Sequence, residues 1–119
     1  MRLELIPGAP VDTTALSLLH EEVQPGKVAS GAPTTATHAL GSFADLALGV
    51  WEMSAGGMYD VEAEELFIVI AGRATVEIHG DDRGAGSAAL SPGTLMRLGA
   101  GMRTTWTVHE RLRKVYLSP

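Results

Sequence analysis

The chain has 119 residues, 45% of them hydrophobic, with 14 glycines, 6 prolines and no cysteine, which is the size and make-up of one globular, turn-rich domain around one core. A net charge of −5 argues against a general nucleic-acid binder, which needs a basic surface to displace counterions, and the basic cluster "RLRK" (111–114) is too short to reverse that. No apolar run reaches the roughly eighteen residues of a helical membrane span, and "MRLELIPGAP" lacks the apolar stretch and cleavage site of a secretory signal, so the expected setting is cytoplasmic, with no disulfide or thiolate chemistry.

The first forty residues are the least legible. "DTTALSLLHEEV" (12–23) is compatible with one helix, N-capped by Asp12 or Thr13, and equally with extended chain; mostly extended is the expectation, with residues 1–27 as an arm or edge strand. From there on, short apolar runs alternate with glycine-bearing turns. "LALGVWEM" (46–53) reads as a strand and "SAGG" as a tight turn. "ELFIVIAG" (65–72) is rich in branched and aromatic residues and ends at Gly72. "ATVEIHG" (74–80) alternates, with Ala74, Val76 and Ile78 on one face. "DDRGAG" (81–86) reads as a hairpin loop, followed by "SAALSPG" (87–93), "TLMRL" (94–98), "RTTWTVHE" (103–110) and "LRKVYL" (112–117). Strands at such spacing, with such turns, predict an all-β sandwich or barrel.

Glu65, six residues, then Gly72 is the end of the first cupin motif, which runs histidine, one residue, histidine, three or four residues, glutamate, six residues, glycine. The second motif keeps its skeleton at Gly93, Gly99 and Gly101, but its histidine falls on Thr104 and its asparagine on Val108. "SGAPTT" (30–35), "GVWE" (49–52), "SPGT" (91–94) and "TTWTVHERLRKVYL" (104–117) resemble the small single-domain cupins related to the cupin domain of (S)-ureidoglycine aminohydrolase and to ethanolamine-utilisation cupins. The resemblance spans about residues 28–117. It implies an RmlC-like cupin jelly-roll β-barrel over 28–119, usually a homodimer sharing edge strands. Thr94 stands where that turn commonly carries aspartate, and Gly99 stands where the motif has proline, which leaves the loop at 98–103 more freedom.

A cupin metal site takes three histidines and a carboxylate. Here the histidine slots fall on Tyr59 and Val61, or on Met58 and Asp60 with the longer spacer, and on Thr104. Glu65 alone or with Asp60 offers too few donors for tight zinc, iron or manganese, so no metal and no cofactor are expected. His20, His38, His79 and His109 occupy none of the slots and read as surface or loop residues.

Strand alternation groups Glu65 with Phe67 and Val69, and Thr104 with Trp106 and Val108. The resemblance points these faces inward, with Tyr59 joining them, Trp51 and Met53 forming a wall, and Glu62 and Glu64 left in solvent. The expected site is an aromatic-lined pocket for a small polar metabolite. Glu65 and Tyr59 are its candidate catalytic groups, and Trp51, Phe67, Thr104, Trp106 and Lys114 its candidate ligand-binding residues. A carboxylate on an apolar wall has the raised pKa that acid–base work requires; alternatively, Glu65 pairs with Lys114 or Arg113 across the barrel. Three functions stay open: a binding protein, a metal-independent enzyme using Glu65, and a metal-dependent, ammonia-releasing enzyme of the ureidoglycine aminohydrolase type.

Overall fold

The computed structural model describes residues 4–80 and 86–119; the hairpin loop read at 81–86 lies, except for Gly86, outside them. The elements are β1 (Glu21–Glu22), a 3-10 turn (Pro25–Lys27), β2 (Val28–Ser30), β3 (Thr34–Phe43), β4 (Leu46–Met53), β5 (Gly56–Val61), β6 (Glu65–Ile78), β7 (Gly86–Leu90), β8 (Leu95–Leu98) and β9 (Arg103–Ser118). The architecture is all-β, and the curled sheet is a jelly roll with every strand pairing antiparallel.

Strand β9 is the spine of the fold. One of its edges carries β4 against Leu112–Ser118 and β5 against Arg103–Val108, and the other pairs with β6 along nearly its whole length. β3 extends the sheet beyond β4, while β7 and β8 hang from β6. The residues that alternate inward meet in one core, where Met53, Phe67, Val76, Leu98 and Leu112 are fully buried beside Trp106.

Two breaks expected from the sequence are bulges inside continuous strands. The runs 65–72 and 74–80 form the single strand β6, whose register against β9 shifts between Val69 and Ala74. Gly72 sits in this kink with φ +89°, and a Cβ there would collide with the carbonyl oxygen of Arg111. Glycine allows the strand to bend and twist without ending. The runs 103–110 and 112–117 are likewise one strand, bent opposite the same kink.

The arm is extended, with no α-helix among the described residues. Asp12 does cap, but it caps a turn: its carboxylate accepts from the Thr14 backbone N–H at 3.0 Å and from the Thr14 hydroxyl at 2.6 Å. Such side-chain bonds compete with helix formation. Further along, Glu21 and Glu22 pair with Thr35 and Thr34. The arm's backbone also reaches the barrel from Leu5 to Leu40 and from Val23 to Pro33, while Ala9 and Ala15 bond within the arm.

The arm is pinned over the outer face of β3, β4 and β9. Trp51 and Met53 face the core, so Glu52 between them faces out, yet it is buried. Glu52 accepts from Arg113 Nε at 3.0 Å and meets His20 Nε2 at 2.6 Å, while His20 Nδ1 meets the Thr34 hydroxyl at 2.8 Å. Arg113, itself buried, also donates to the carbonyls of Thr13 at 2.9 Å and Thr14 at 3.3 Å. The expectation of a surface or loop histidine therefore fails at His20, which is part-buried with both ring nitrogens engaged. Burial pushes the Glu52 carboxyl up, but the hydrogen bonds and charges of His20 and Arg113 outweigh it and hold the group below its ordinary value.

Candidate functional site

The interior is built by cross-strand register. Lys114 on β9 lies between Trp51 on β4 and Val69 on β6, and its side chain follows theirs into the barrel. Its Nζ reaches Glu65 Oε2 at 2.6 Å. The same ammonium lies 4.6 Å from the ring centroid of Trp51, 4.4 Å from that of Phe67 and 4.8 Å from that of Trp106. Trp106 is tilted against both other rings, with centroid distances of 5.7 Å to Trp51 and 5.9 Å to Phe67. Lys114 is only 4% exposed. Cation–π attraction and one short ion pair together offset the desolvation of that ammonium.

A second carboxylate belongs to the interior. Glu62 Oε2 accepts from the Thr104 hydroxyl at 2.5 Å and from the Trp106 indole N–H at 2.9 Å. Thr104 in turn accepts from the same indole at 3.1 Å. Burial raises the Glu62 pKa above its ordinary value; the two hydrogen bonds oppose that without cancelling it, and the nearby Asp60 charge adds to the rise. Asp60 itself meets Lys27 at 3.5 Å.

Two cavities border these groups, each of about 310 Å³. One is lined by Glu21, Glu22, Thr35, Trp51 and Met58 with neighbouring arm residues, and the other by Tyr59, Val61, His79, Arg103 and Thr104; both include Lys27 and Asp60. The Lys27–Asp60 pair thus forms a wall common to both, with Lys27 in the turn that ends the arm.

Of the residues singled out from sequence, Phe67, Thr104, Trp106 and Lys114 are buried, and Trp51 packs partly buried against the core. Glu65 is inward and half-buried. Tyr59 does not join them in the interior: it is 49% exposed and meets Thr104 only in lining the same cavity. On β5 it is Met58 and Asp60 that register with Trp106 and Thr104 and share their inward side, so strand alternation turns Tyr59 and Val61 outward. Glu62 was expected in solvent and is instead hydrogen-bonded inside. The signal for it was the parity of Asp60 and Glu62, legible once Met58 is placed inward. Glu64 pairs with Arg97 on β8.

The four slots of the cupin metal motif therefore hold Met58, Asp60, Glu65 and Thr104. A thioether and an alcohol are poor donors for a divalent ion at neutral pH, Glu65 is already taken by an ammonium, and among the described residues no three His, Cys, Asp or Glu side chains converge as a metal site. These residues do not fit the metal that the motif ordinarily serves.

Residues 41–116 match a family model described as the EutQ-like cupin domain. Among solved structures, the EutQ protein of Clostridium difficile superposes with a TM-score of 0.60 at 20% identity, over 81% of this chain and 73% of that one. A Pseudomonas syringae pv. tomato protein of unknown function from the DUF861 family gives 0.67 at 24% identity, over 90% of this chain and 46% of that one. The hydroxypropylphosphonic acid epoxidase of S. wedmorenis gives 0.57 at 13% identity, over 71% and 50%. At such identities these likenesses carry the fold alone. A search of curated proteins returns no match.

Proposed function

The chain belongs to the EutQ-like cupin family, and from that premise we propose that it is a metal-independent, small-molecule-binding cupin whose ligand enters at the barrel mouth. The observation that carries this reading is the pair of cavities meeting at Lys27 and Asp60, one walled by Trp51 and Met58, with Thr104 and its partner Glu62 at the other. The Thr104 cavity is the more apolar of the two, whereas Glu21, Glu22, Gln24, Lys27 and Asp60 make the Trp51 cavity largely polar and charged around one aromatic face; an apolar surface beside a few placed polar groups is the usual composition of a metabolite site. The deep aromatic box, by contrast, is filled by Lys114, so the ligand sits outside it. The expected ligand is a small polar metabolite whose charged end meets Lys27 or Asp60 and whose body packs on Trp51. A thermal-shift screen of small metabolites tests this, with Asp60→Asn and Trp51→Ala as probes. The reading predicts that a stabilising compound loses at least about tenfold in affinity in both variants, one bidentate or stacking contact each. Undiminished binding in both variants places the ligand elsewhere.

One observation favours a second reading, that of an enzyme. Glu65 is neutralised by Lys114, whereas Glu62 is a desolvated carboxylate with a raised pKa one hydroxyl away from a cavity. The general acid or base of a metal-independent reaction is then Glu62 rather than Glu65. Replacing Glu62 with glutamine abolishes turnover under this reading, and leaves ligand affinity within about tenfold under the first. The aminohydrolase-type reading requires a metal that the residues at the motif positions do not fit.

The proposal also includes a homodimer in the cytoplasm. Leu66, Ile68 and Leu95 are exposed side by side on the outer face of β6 and β8, and an apolar sheet face of this kind gains by being covered. Sedimentation at micromolar concentration showing only the mass of one chain removes the dimer.

A further inference from the structure

The mismatch between the metal motif and its residues has a specific physical resolution, which goes beyond the binding function proposed above. Glu65, the motif's carboxylate, points into the barrel, where an uncompensated negative charge is costly. A metal normally offsets that cost. Here the compensation comes from the facing strand: Lys114 on β9 enters the barrel level with Trp51 and Val69, and its Nζ stops 2.6 Å from Glu65 Oε2.

We infer that Lys114 Nζ is the barrel's resident cation, supplying permanently, from within the chain, the positive charge that the cupin motif otherwise obtains from a divalent ion. Four observations converge on it. The ammonium contacts the motif carboxylate directly. Three ring faces, from Trp51, Phe67 and Trp106, stand at 4.4 to 4.8 Å from it, the geometry of an aromatic cage for a cation, and the Glu62 carboxylate also feels its charge. It is 4% exposed, and among the described residues no buried side-chain nitrogen or oxygen lacks a hydrogen-bond partner. At the other motif positions stand Met58, Asp60 and Thr104; of these, Thr104 is committed to Glu62 and Trp106, and Asp60 to Lys27.

The assignment explains why the histidines can be absent without disturbing the fold. A tethered ammonium needs one carboxylate and polarisable walls, not a tetrahedral or octahedral donor set. It also makes the interior charge insensitive to metal supply and to chelators. The ammonium further excludes a divalent ion by like-charge repulsion, independently of which donors surround it.

Two measurements test this. In the first, Met58→His, Asp60→His and Thr104→His are introduced together, once with Lys114 retained and once with Lys114→Met, and Ni²⁺ binding is followed by titration calorimetry. The inference predicts binding at least about a hundredfold tighter in the background lacking Lys114, since a buried like charge opposes the ion and Glu65 becomes a free ligand. Equal affinity in the two backgrounds overturns it. Because the triple replacement removes the Thr104 hydroxyl and can impair folding, the second measurement uses milder variants. Lys114→Met, Glu65→Gln and the double variant are compared with wild type by urea unfolding at pH 7, with and without chelator. The double variant is expected to lose less stability than the sum of the two single losses, a coupling that shows the two charges compensating each other, and chelator is expected to change nothing. Additive effects of the two single changes, or a stability loss in wild type on chelation, overturn the assignment. Neither readout involves the mouth ligand, so failure here leaves the proposed binding function standing, and failure of the metabolite screen leaves this inference standing.

Discussion

Replacing Trp106 with alanine strikes every layer of the site at once. The side chain is 1% exposed, packs on both Trp51 and Phe67, forms one wall of the Lys114 cage and donates its indole N–H to Glu62. Truncating a buried tryptophan costs about 3–5 kcal/mol when the cavity cannot collapse. Collapse is hindered here because the neighbouring ammonium and carboxylate cannot move into an apolar void without losing their own partners. The expected loss therefore lies near the upper end, about 4–5 kcal/mol, against a typical total of about 5–15 kcal/mol for a domain. Trp106→Phe separates the contributions: it keeps much of the ring volume, removes the N–H that serves both Glu62 and Thr104 and is expected to cost about 1–2 kcal/mol. Urea denaturation followed by circular dichroism, with Trp51 fluorescence as a second probe, measures both. Should Trp106→Ala lower stability by less than about 1 kcal/mol at an unchanged slope, the residue is not the keystone of the interior, and the packing argument above is refuted.

Three further outcomes follow from the same contacts. Gly72→Ala forces a Cβ onto the Arg111 carbonyl oxygen at a φ of +89°; the bulge must open, at a cost of about 2 kcal/mol or more, and a denaturation midpoint equal to wild type would mean that the kink is not held as described. Arg113→Met leaves Glu52 buried beside His20 alone and frees the carbonyls of Thr13 and Thr14; a loss of about 3 kcal/mol is expected, together with faster proteolysis within residues 12–23, and an unchanged cleavage rate would show that the arm is held by other contacts. Glu62 has a folded-state pKa above its ordinary value of 4.5, so its ionisation weakens the fold. Its disadvantage is absent below the unfolded value and develops as pH rises through the folded one. Glu62→Gln should accordingly be at least as stable as wild type at pH 7 and lose any advantage by pH 4; a variant less stable at pH 7 than at pH 4, relative to wild type, contradicts the burial argument.

The interior of the barrel was legible wherever a residue's neighbours are set by strand parity. Phe67, Val69, Thr104, Trp106 and Val108 could be assigned to one side because a strand offers only two, and the Glu65–Gly72 spacing identified the motif because it ties a carboxylate to a bulge seven residues further on. Where two registers were possible, as at Tyr59 and Val61 against Met58 and Asp60, parity alone could not choose. The pairing of β5 with Trp106 and Thr104 made the choice, and it exchanged Tyr59 for Glu62 as the second interior group. His20 was beyond reach for a different reason. Its partner Glu52 lies 32 residues away and Arg113 bridges back to Thr13 across 100, distances over which nothing in a single sequence signals contact.

The amino-acid sequence by itself determined an all-β chain, its alternating faces, the glycine at the bulge and the loss of the histidine ligands, because these depend on residue type and local spacing. Only the tertiary structure decided what became of the charges. It brought Lys114 over Glu65 inside three aromatic rings, tied Glu62 to Thr104 and Trp106, and clamped the arm through Glu52 and Arg113. A buried charge is tolerated only where its counter-charge is placed within a few ångströms, and that placement is a property of the assembled sheet.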